Sequence, residues 1–277
     1  MKWYTLPLAG LVAGTYAAKN CSVARLTDFL LKNSTVYFAK EYPAHYNFTL
    51  PISLNYGLTS DTMGISAYEL PVAACIAQAN ITLLNNTQHS VGFVLPDYWN
   101  GRFLANGNSE LTGSVGWDSI IFVSWYGFAV VSSDLGHEGN NGSFGYHNEQ
   151  ALQNWGHLAL HDAVVNGKAL TEGYYGKEIS YSYYCGCSAG QKQEFPDDFN
   201  GVIAGAPAWW TSHQQLWNIL TAVWNLPETA DYHVTDDQMS AVATEILKQC
   251  DPQDGVKDGI LQNPFDCVFD ITSLVCN

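Results

Sequence analysis

An α/β fold follows from three features of this 277-residue sequence. Apolar, β-rich runs closed by turn residues alternate with a stretch of helical periodicity, the pattern of βαβ units. One such run leads straight into Gly186-Cys187-Ser188-Ala189-Gly190, a Gly-x-Ser-x-Gly turn. Beyond residue 210 the strands stop and the pattern is helical alone.

At the start of the chain, Lys2, the apolar run WYTLPLAGLVAG and the small-residue site Thr15-Tyr16-Ala17 predict a secretion signal over 1–17. The apolar run is too short and interrupted to span a membrane, and no second span follows. SVGFVLPD (90–97), RFLANG (102–107) and GFAVVSSD (127–134) read as strands. A helix is expected around 151–174, where Leu158, Val164, Val165 and Leu170 give a broken apolar face. EISYSYY (178–184) and GVIAGAP (201–207) are two further strands. Strands alternating with helices predict a mainly parallel sheet with helices on both faces.

In the helical part, Leu216, Ile219, Leu220 and Val223 follow i, i+3, i+4, i+7, and Pro227 closes that helix. Thr235-x-x-Gln238 is a capping box before a second helix carrying Met239, Val242 and Ile246 and ending at Cys250. The remainder reads as a loop. The expected division is a signal at 1–17, the N-terminal part of the sheet domain at 18–210, and the start of a helical lid at 211–277.

Composition restricts function. Hydrophobic residues make up 47% and charged residues 13%, so the chain is globular rather than disordered. The net charge of −15 argues against a nucleic-acid partner, since phosphate binding needs a basic surface. Six Asn-x-Ser/Thr sequons, at Asn20, Asn33, Asn47, Asn80, Asn85 and Asn141, agree with a secreted glycoprotein outside the cell. Seven cysteines in an oxidising compartment should mostly pair, and the odd count leaves one without a partner in this chain.

Ser188 is the candidate nucleophile. Small neighbours let a serine rise above the sheet on a strained strand-to-helix turn, where a helix N-terminus offers backbone N–H groups to an oxyanion. Two residue groups offer alternatives. Asp134 and His137 form a tempting acid–base pair, but they precede Ser188 and end a strand, so they are read as a rim loop. His157 and His161 share the spacing of a metal-binding helix face without an evident third ligand, so packing is the expectation.

YYCGCSAG, followed by FPDDFNGVIAGAPAWW, resembles the fungal tannase and feruloyl esterase family, as do NGRFLANGN and GFAVVSSDLGH. The resemblance runs from about residue 90 onward and implies a secreted serine esterase of the α/β-hydrolase fold with a calcium-binding lid. Its substrates would be small aromatic esters or plant cell-wall esters. It implies that Ser188 is the nucleophile and that Cys21 pairs with Cys75. It also implies a lid loop binding Ca2+ through Asp251, Asp254 and Asp258, with the carbonyls of Val256 and Ile260. The residues are compatible with that: three close carboxylates repel unless a cation separates them, and Gly255 and Gly259 permit tight turns. Cys250 and Cys267 flank this loop, and a bridge between them would close about 18 residues and add roughly 3 kcal/mol in the loop-closure model.

The sequence departs from the family's pattern in three places. In this fold the acid and base follow the serine, and in the family they follow the lid, yet only His213 and His233 come after Ser188. Gln191 replaces a second glycine, and the helix behind the turn is short. Ser109-Glu110 stands where the family has paired glycines, on a loop, Asn106 to Ser109, whose N–H groups would face the oxyanion. By the same resemblance Cys187 and Cys276 would pair with cysteines beyond residue 277, and Cys185 has no evident partner. The expectation is therefore the first half of a longer esterase, with a catalytically silent scaffold as the alternative. A third reading, a carbohydrate-binding module, leaves the Gly-x-Ser-x-Gly turn unexplained. Trp209 and Trp210 are candidates to line an aromatic acyl pocket.

Overall fold

The computed structural model describes residues 19–31, 34–49, 68–83, 86–188, 195–208 and 210–275. The signal segment, Asn33, Asn85, the turn from Ala189 to Glu194, Trp209 and Cys276 lie outside the described residues. The chain divides into two compact units, Met1–Trp209 and Trp210–Asn277.

The first unit opens with α1 (Val23–Thr27), β1 (Thr35–Tyr42), β2 (Asn47–Phe48) and β3 (Tyr68–Glu69), then β4 (Ala74–Thr82), β5 (Gln88–Pro96) and β6 (Arg102–Asn106). Next come α2 (Trp117–Ser124), β7 (Ala129–Ser133), α3 (Glu149–Gln153), a π-helical turn (Asn154–Leu158), α4 (Ala159–Tyr175), β8 (Tyr181–Cys187) and β9 (Gly201–Gly205). Seven strands form one sheet in the order β1-β4-β5-β7-β6-β8-β9, and β2 and β3 pair separately.

The sheet is mixed, which corrects the expected mainly parallel one. β1–β4, β4–β5 and β5–β7 pair antiparallel, while β6–β7, β6–β8 and β8–β9 pair parallel. The link from β4 to β5 is too short for a crossover, so those strands must form a hairpin. β8 also lies further along than expected. It starts at Tyr181 and runs through both cysteines to the foot of Ser188.

Each face of the sheet carries its own core. Val91, Phe93, Leu95, Phe103, Ala105, Val131 and Tyr184 pack with Val164 and Leu170 of α4 on one side. Val94, Leu104 and Val130 pack with Trp117, Ile120 and Ile121 of α2 on the other. A strand covered on both faces is buried along its length, as β5 is. Small residues set the spacing. A Cβ at Gly92 would come within 2.9 Å of the Trp117 ring, and one at Gly167 within 2.9 Å of Phe103. Each fully buried large side chain contributes about 2 to 3 kcal/mol through the apolar area it removes from water. Gly176, at φ +62°, ends α4 in the left-handed region that glycine adopts without strain. A disulfide from Cys21 to Cys75 ties the chain ahead of α1 to β4, as the resemblance implied.

The second unit holds α5 (Thr211–Asn225) and α6 (Asp236–Cys250). Thr235 and Gln238 form the expected reciprocal capping box. The apolar stripe of α5 forms at helical spacing, but Leu216, Ile219 and Val223 remain about 60% exposed. Cys250 bonds to Cys267 and closes the acidic loop. Among the described residues no helix is long and apolar enough to cross a membrane.

Candidate active site

β8 lies between β6 and β9, and Ser188 follows its last residue. Ser188 sits at φ +58°, in left-handed backbone that a residue with a Cβ enters only at a cost. Two hydrogen bonds hold it there. Its N–H donates to the Gly205 carbonyl at 3.1 Å, and its own carbonyl accepts from Ala208 N–H at 2.9 Å. The end of β9 and the segment just after it therefore hold both backbone polar groups of the residue that turns the chain out of the sheet. The side chain is half-buried, so Oγ is within reach of solvent-borne molecules. The residue after it, whose N–H would face an oxyanion, lies outside the described residues.

The loop after β6 lies beside this turn. Gly107 donates its N–H to Cys185 O at 2.8 Å, so that donor is taken by the strand and is not free for an oxyanion. Asn108 organises the rest of the loop. Its amide nitrogen lies 3.1 Å from Thr112 O, 2.9 Å from Ser114 O and 2.9 Å from Ser133 O, sharing two N–H bonds among three acceptors. His137 fastens the far side. Its Nε2 lies 2.8 Å from Leu111 O, which makes Nε2 the protonated nitrogen, and its ring stacks on Phe144 at 3.8 Å. Gly113 bridges to Gly139, and a Cβ there would stand 2.3 Å from His137 O. Sequence reasoning named His137 only as a rim residue and missed both anchors. Their partners are carbonyl oxygens many residues away, which no local motif encodes.

Asp134 and His137 do not act as an acid–base pair. Asp134 is buried, and its Oδ1 accepts from Ser90 N–H and Gly136 N–H at 2.9 Å. Burial raises its carboxyl to about 7 against those bonds, with the Glu138 charge adding to the rise. His89, fully buried beside it, has Nδ1 2.7 Å from Ser133 Oγ. Burial lowers its imidazole to about 3, so it stays neutral.

The other histidines are engaged elsewhere. His161 Nδ1 meets Asp198 Oδ2 at 3.0 Å and the ring stacks on Phe195. In the second unit the His213 ring packs tilted against Trp210 with centroids 3.6 Å apart, and His233 donates through Nδ1 to Asn225 O at 2.6 Å. Among the described residues of the first unit no histidine hydrogen-bonds Ser188 Oγ. Cys185 and Cys187 are free thiols.

The acidic loop repeats one local device. Asp254 Oδ1 accepts from Val256 N–H at 2.9 Å, and Asp258 Oδ1 accepts from Ile260 N–H at 3.0 Å. In each case the intervening glycine, Gly255 or Gly259, has positive φ. Asp251 Oδ1 receives the N–H groups of Asp258 and Gly259 at 3.1 and 3.0 Å, which closes the loop on itself. A cavity of about 230 Å³ lies next to the Cys250–Cys267 bridge, lined by Gln253, Asp254, Asn263 and Asp266 among others. The donors are all oxygens, which suits calcium. Among the described residues, however, no three acidic, histidine or cysteine side chains converge closely enough to hold a metal by themselves, so carbonyl oxygens would have to complete a shell.

The model of the family described as Tannase and feruloyl esterase matches residues 78–277. A probable feruloyl esterase B-1 of Aspergillus oryzae is 37% identical over 238 residues, which cover 82% of this chain and 44% of that one. A probable feruloyl esterase B-2 of Aspergillus terreus is 31% identical over 283 residues, covering 99% and 53%. Among solved structures, feruloyl esterase B from Aspergillus oryzae superposes with a TM-score of 0.79 at 34% identity, over 91% of this chain and 52% of that one. Tannin acyl hydrolase from Aspergillus niger shares the fold at a TM-score of 0.68 and 24% identity, over 91% and 48%. The chain thus spans about half the length of the relatives it matches.

Proposed function

Because this chain belongs to the tannase and feruloyl esterase family, we propose that it carries the nucleophile half of a carboxylic ester hydrolase site, with Ser188 as the acyl acceptor. The observation that carries this reading is the left-handed Ser188 at the end of β8, held by Gly205 and Ala208. A strained turn of this kind projects a serine hydroxyl above the sheet ends. In the reaction Ser188 Oγ attacks the ester carbonyl and gives up its proton as the C–O bond forms. The tetrahedral oxyanion collapses, expels the alcohol and leaves acyl-Ser188, which water then cleaves to the acid and free serine. By the family's pattern a histidine takes the serine proton and returns it to the departing alcohol. The substrates would be small aromatic esters or plant cell-wall esters, a reading supported by relatives whose names say feruloyl esterase.

Calcium would be held by Asp251, Asp254 and Asp258 with the carbonyls of Val256 and Ile260, and would supply charge neutralisation to a lid made by the second unit. The placement outside the cell is supported by two disulfides and by four described sequon asparagines, Asn20, Asn47, Asn80 and Asn141, which are all exposed.

A second reading, a catalytically silent scaffold, is favoured by the engagement of His213 and His233 in packing within their own unit. Hydrolysis of methyl ferulate and p-nitrophenyl acetate by the wild-type chain and by Ser188→Ala decides between them. Turnover lost in the variant supports the esterase, whereas equal inertness of two folded proteins supports the scaffold.

A further inference from the structure

β6, β7 and β8 run parallel, so the loops that leave Asn106, Ser133 and Cys187 emerge at one end of the sheet, the end that bears Ser188. The loop after β7 carries the sequon Asn141-Gly142-Ser143. The other described sequons are placed differently. Asn20 adjoins Cys21, which is bonded to Cys75, while Asn47 and Asn80 lie within the paired strands β2 and β4.

The turn at Asn141 is a formed and anchored one. Asn141 caps a 3₁₀ turn (Gly142–Gly145), its Oδ1 accepting from Ser143 N–H at 3.0 Å and from the Ser143 hydroxyl. Its neighbours are tied to the loop after β6. Gly139 bridges to Gly113, Asn140 Nδ2 donates to Glu110 Oε2 at 2.9 Å, and a Cβ on Gly142 would meet Leu111 at 3.8 Å. Phe144, within the turn, stacks on His137. Asn141, Gly142 and Ser143 are themselves exposed, and so is Tyr146 just beyond, at 77%. The cap uses only the carbonyl oxygen of Asn141. N-glycosylation replaces a hydrogen on Nδ2 and leaves Oδ1 an acceptor, so the turn and a glycan are compatible.

We propose that Asn141 carries an N-linked glycan, rooted at the rim of the Ser188 end of the sheet, which covers the exposed loop as far as Tyr146. The new bond joins Nδ2 to the anomeric carbon of a lipid-diphosphate-linked oligosaccharide. The bond from that carbon to the diphosphate breaks, and the lipid diphosphate and one Nδ2 proton leave. A bulky, hydrated group at this position hinders the approach of macromolecules to the loop. The inference rests on the placement of the chain outside the cell proposed above, and not on the chemistry of Ser188.

The test secretes the full chain from a fungal host and analyses the protein in the medium by glycopeptide mass spectrometry. The expected result is a glycan on the peptide holding Asn141. Asn141→Asp, which keeps the capping oxygen, should lack it. Brief digestion with chymotrypsin should nick that variant after Tyr146 about fivefold or more faster than wild type, since exposed loop tips are preferred cleavage sites. Wild type trimmed by an endoglycosidase under native conditions should behave like the variant, which keeps the test open should the variant fold poorly. Asn141 left bare on a protein glycosylated at other sequons overturns the inference, as does equal nicking of trimmed and untrimmed wild type. A chain bare at every sequon, or absent from the medium, overturns it together with the placement outside the cell. Hydrolysis of methyl ferulate by the same samples separates the inference from the proposed chemistry. An occupied, protective glycan without turnover leaves the inference standing and counts against Ser188.

Discussion

The N–H of Ser188 donates to the carbonyl oxygen of Gly205 across the β8–β9 boundary at 3.1 Å, while Ser188 itself is held at φ +58°. The strain of the turn and its restraint thus come from adjacent strands. A non-glycine residue in this region costs on the order of 1 kcal/mol or more, and the bonds to Gly205 and Ala208 offset that cost.

Ser188→Gly should therefore fold at least as stably as the wild type, gaining about 1 kcal/mol of relieved strain, while losing all acyl transfer. Ser188→Val should lose both stability and activity. Thermal melts of the two variants check the first half of this, and ester hydrolysis the second.

The pair His89 and Asp134 gives two pH dependences of opposite sign. His89 falls from 6.5 in the unfolded chain to about 3 in the folded one. Between those values only the unfolded chain holds the proton, so this group's contribution rises with pH and is lost on acidification. Asp134 rises from 3.8 to about 7, so across its window the folded state holds the proton and stability falls as pH rises. Denaturant melts from pH 4 to 7 should show a steeper rise in stability for Asp134→Asn than for wild type. For His89→Gln they should show a flat or falling profile.

How much of this was legible in the sequence varies by element. The strands from β5 to β9 announce themselves as apolar runs, and Ser188 does so through its flanking glycines. β4 does not, because ACIAQANIT sets Gln78 and Asn80 among small residues, and Gln78 is nonetheless buried, with its Nε2 donating to Ser90 Oγ across the sheet. The direction of pairing was also hidden, since whether β5 meets β7 parallel or antiparallel is decided by non-local packing. The anchoring of the loop after β6 by His137 and Asn108 depends on carbonyl oxygens at Leu111 and Ser133, and no spacing rule predicts those. The capping box at Thr235 was fully legible because it is local.

That loop should be sensitive to a single methyl group. Gly113→Ala places a Cβ 2.3 Å from His137 O, which backbone must move to relieve. A loss of roughly 2 kcal/mol or more is expected in chemical denaturation. Gly156→Ala, which meets nothing within 4 Å inside the π-helical turn, should be neutral or stabilising by up to about 1 kcal/mol.

The acidic loop offers a test of calcium apart from catalysis. Asp251→Asn keeps an oxygen that can accept from Asp258 and Gly259 but removes the charge. The variant should fold and lose calcium affinity about tenfold or more. Titration calorimetry with calcium checks this, and wild type that takes up no heat removes the metal from the account.

The central claim is that Ser188 forms a covalent bond to the acyl carbon. The most direct measurement is peptide mass spectrometry after reaction with an activated alkyl phosphonate, which traps a serine nucleophile. The account predicts one adduct, on Ser188, absent from Ser188→Ala. Folded wild-type protein that carries no adduct, or carries it on another residue, would contradict it.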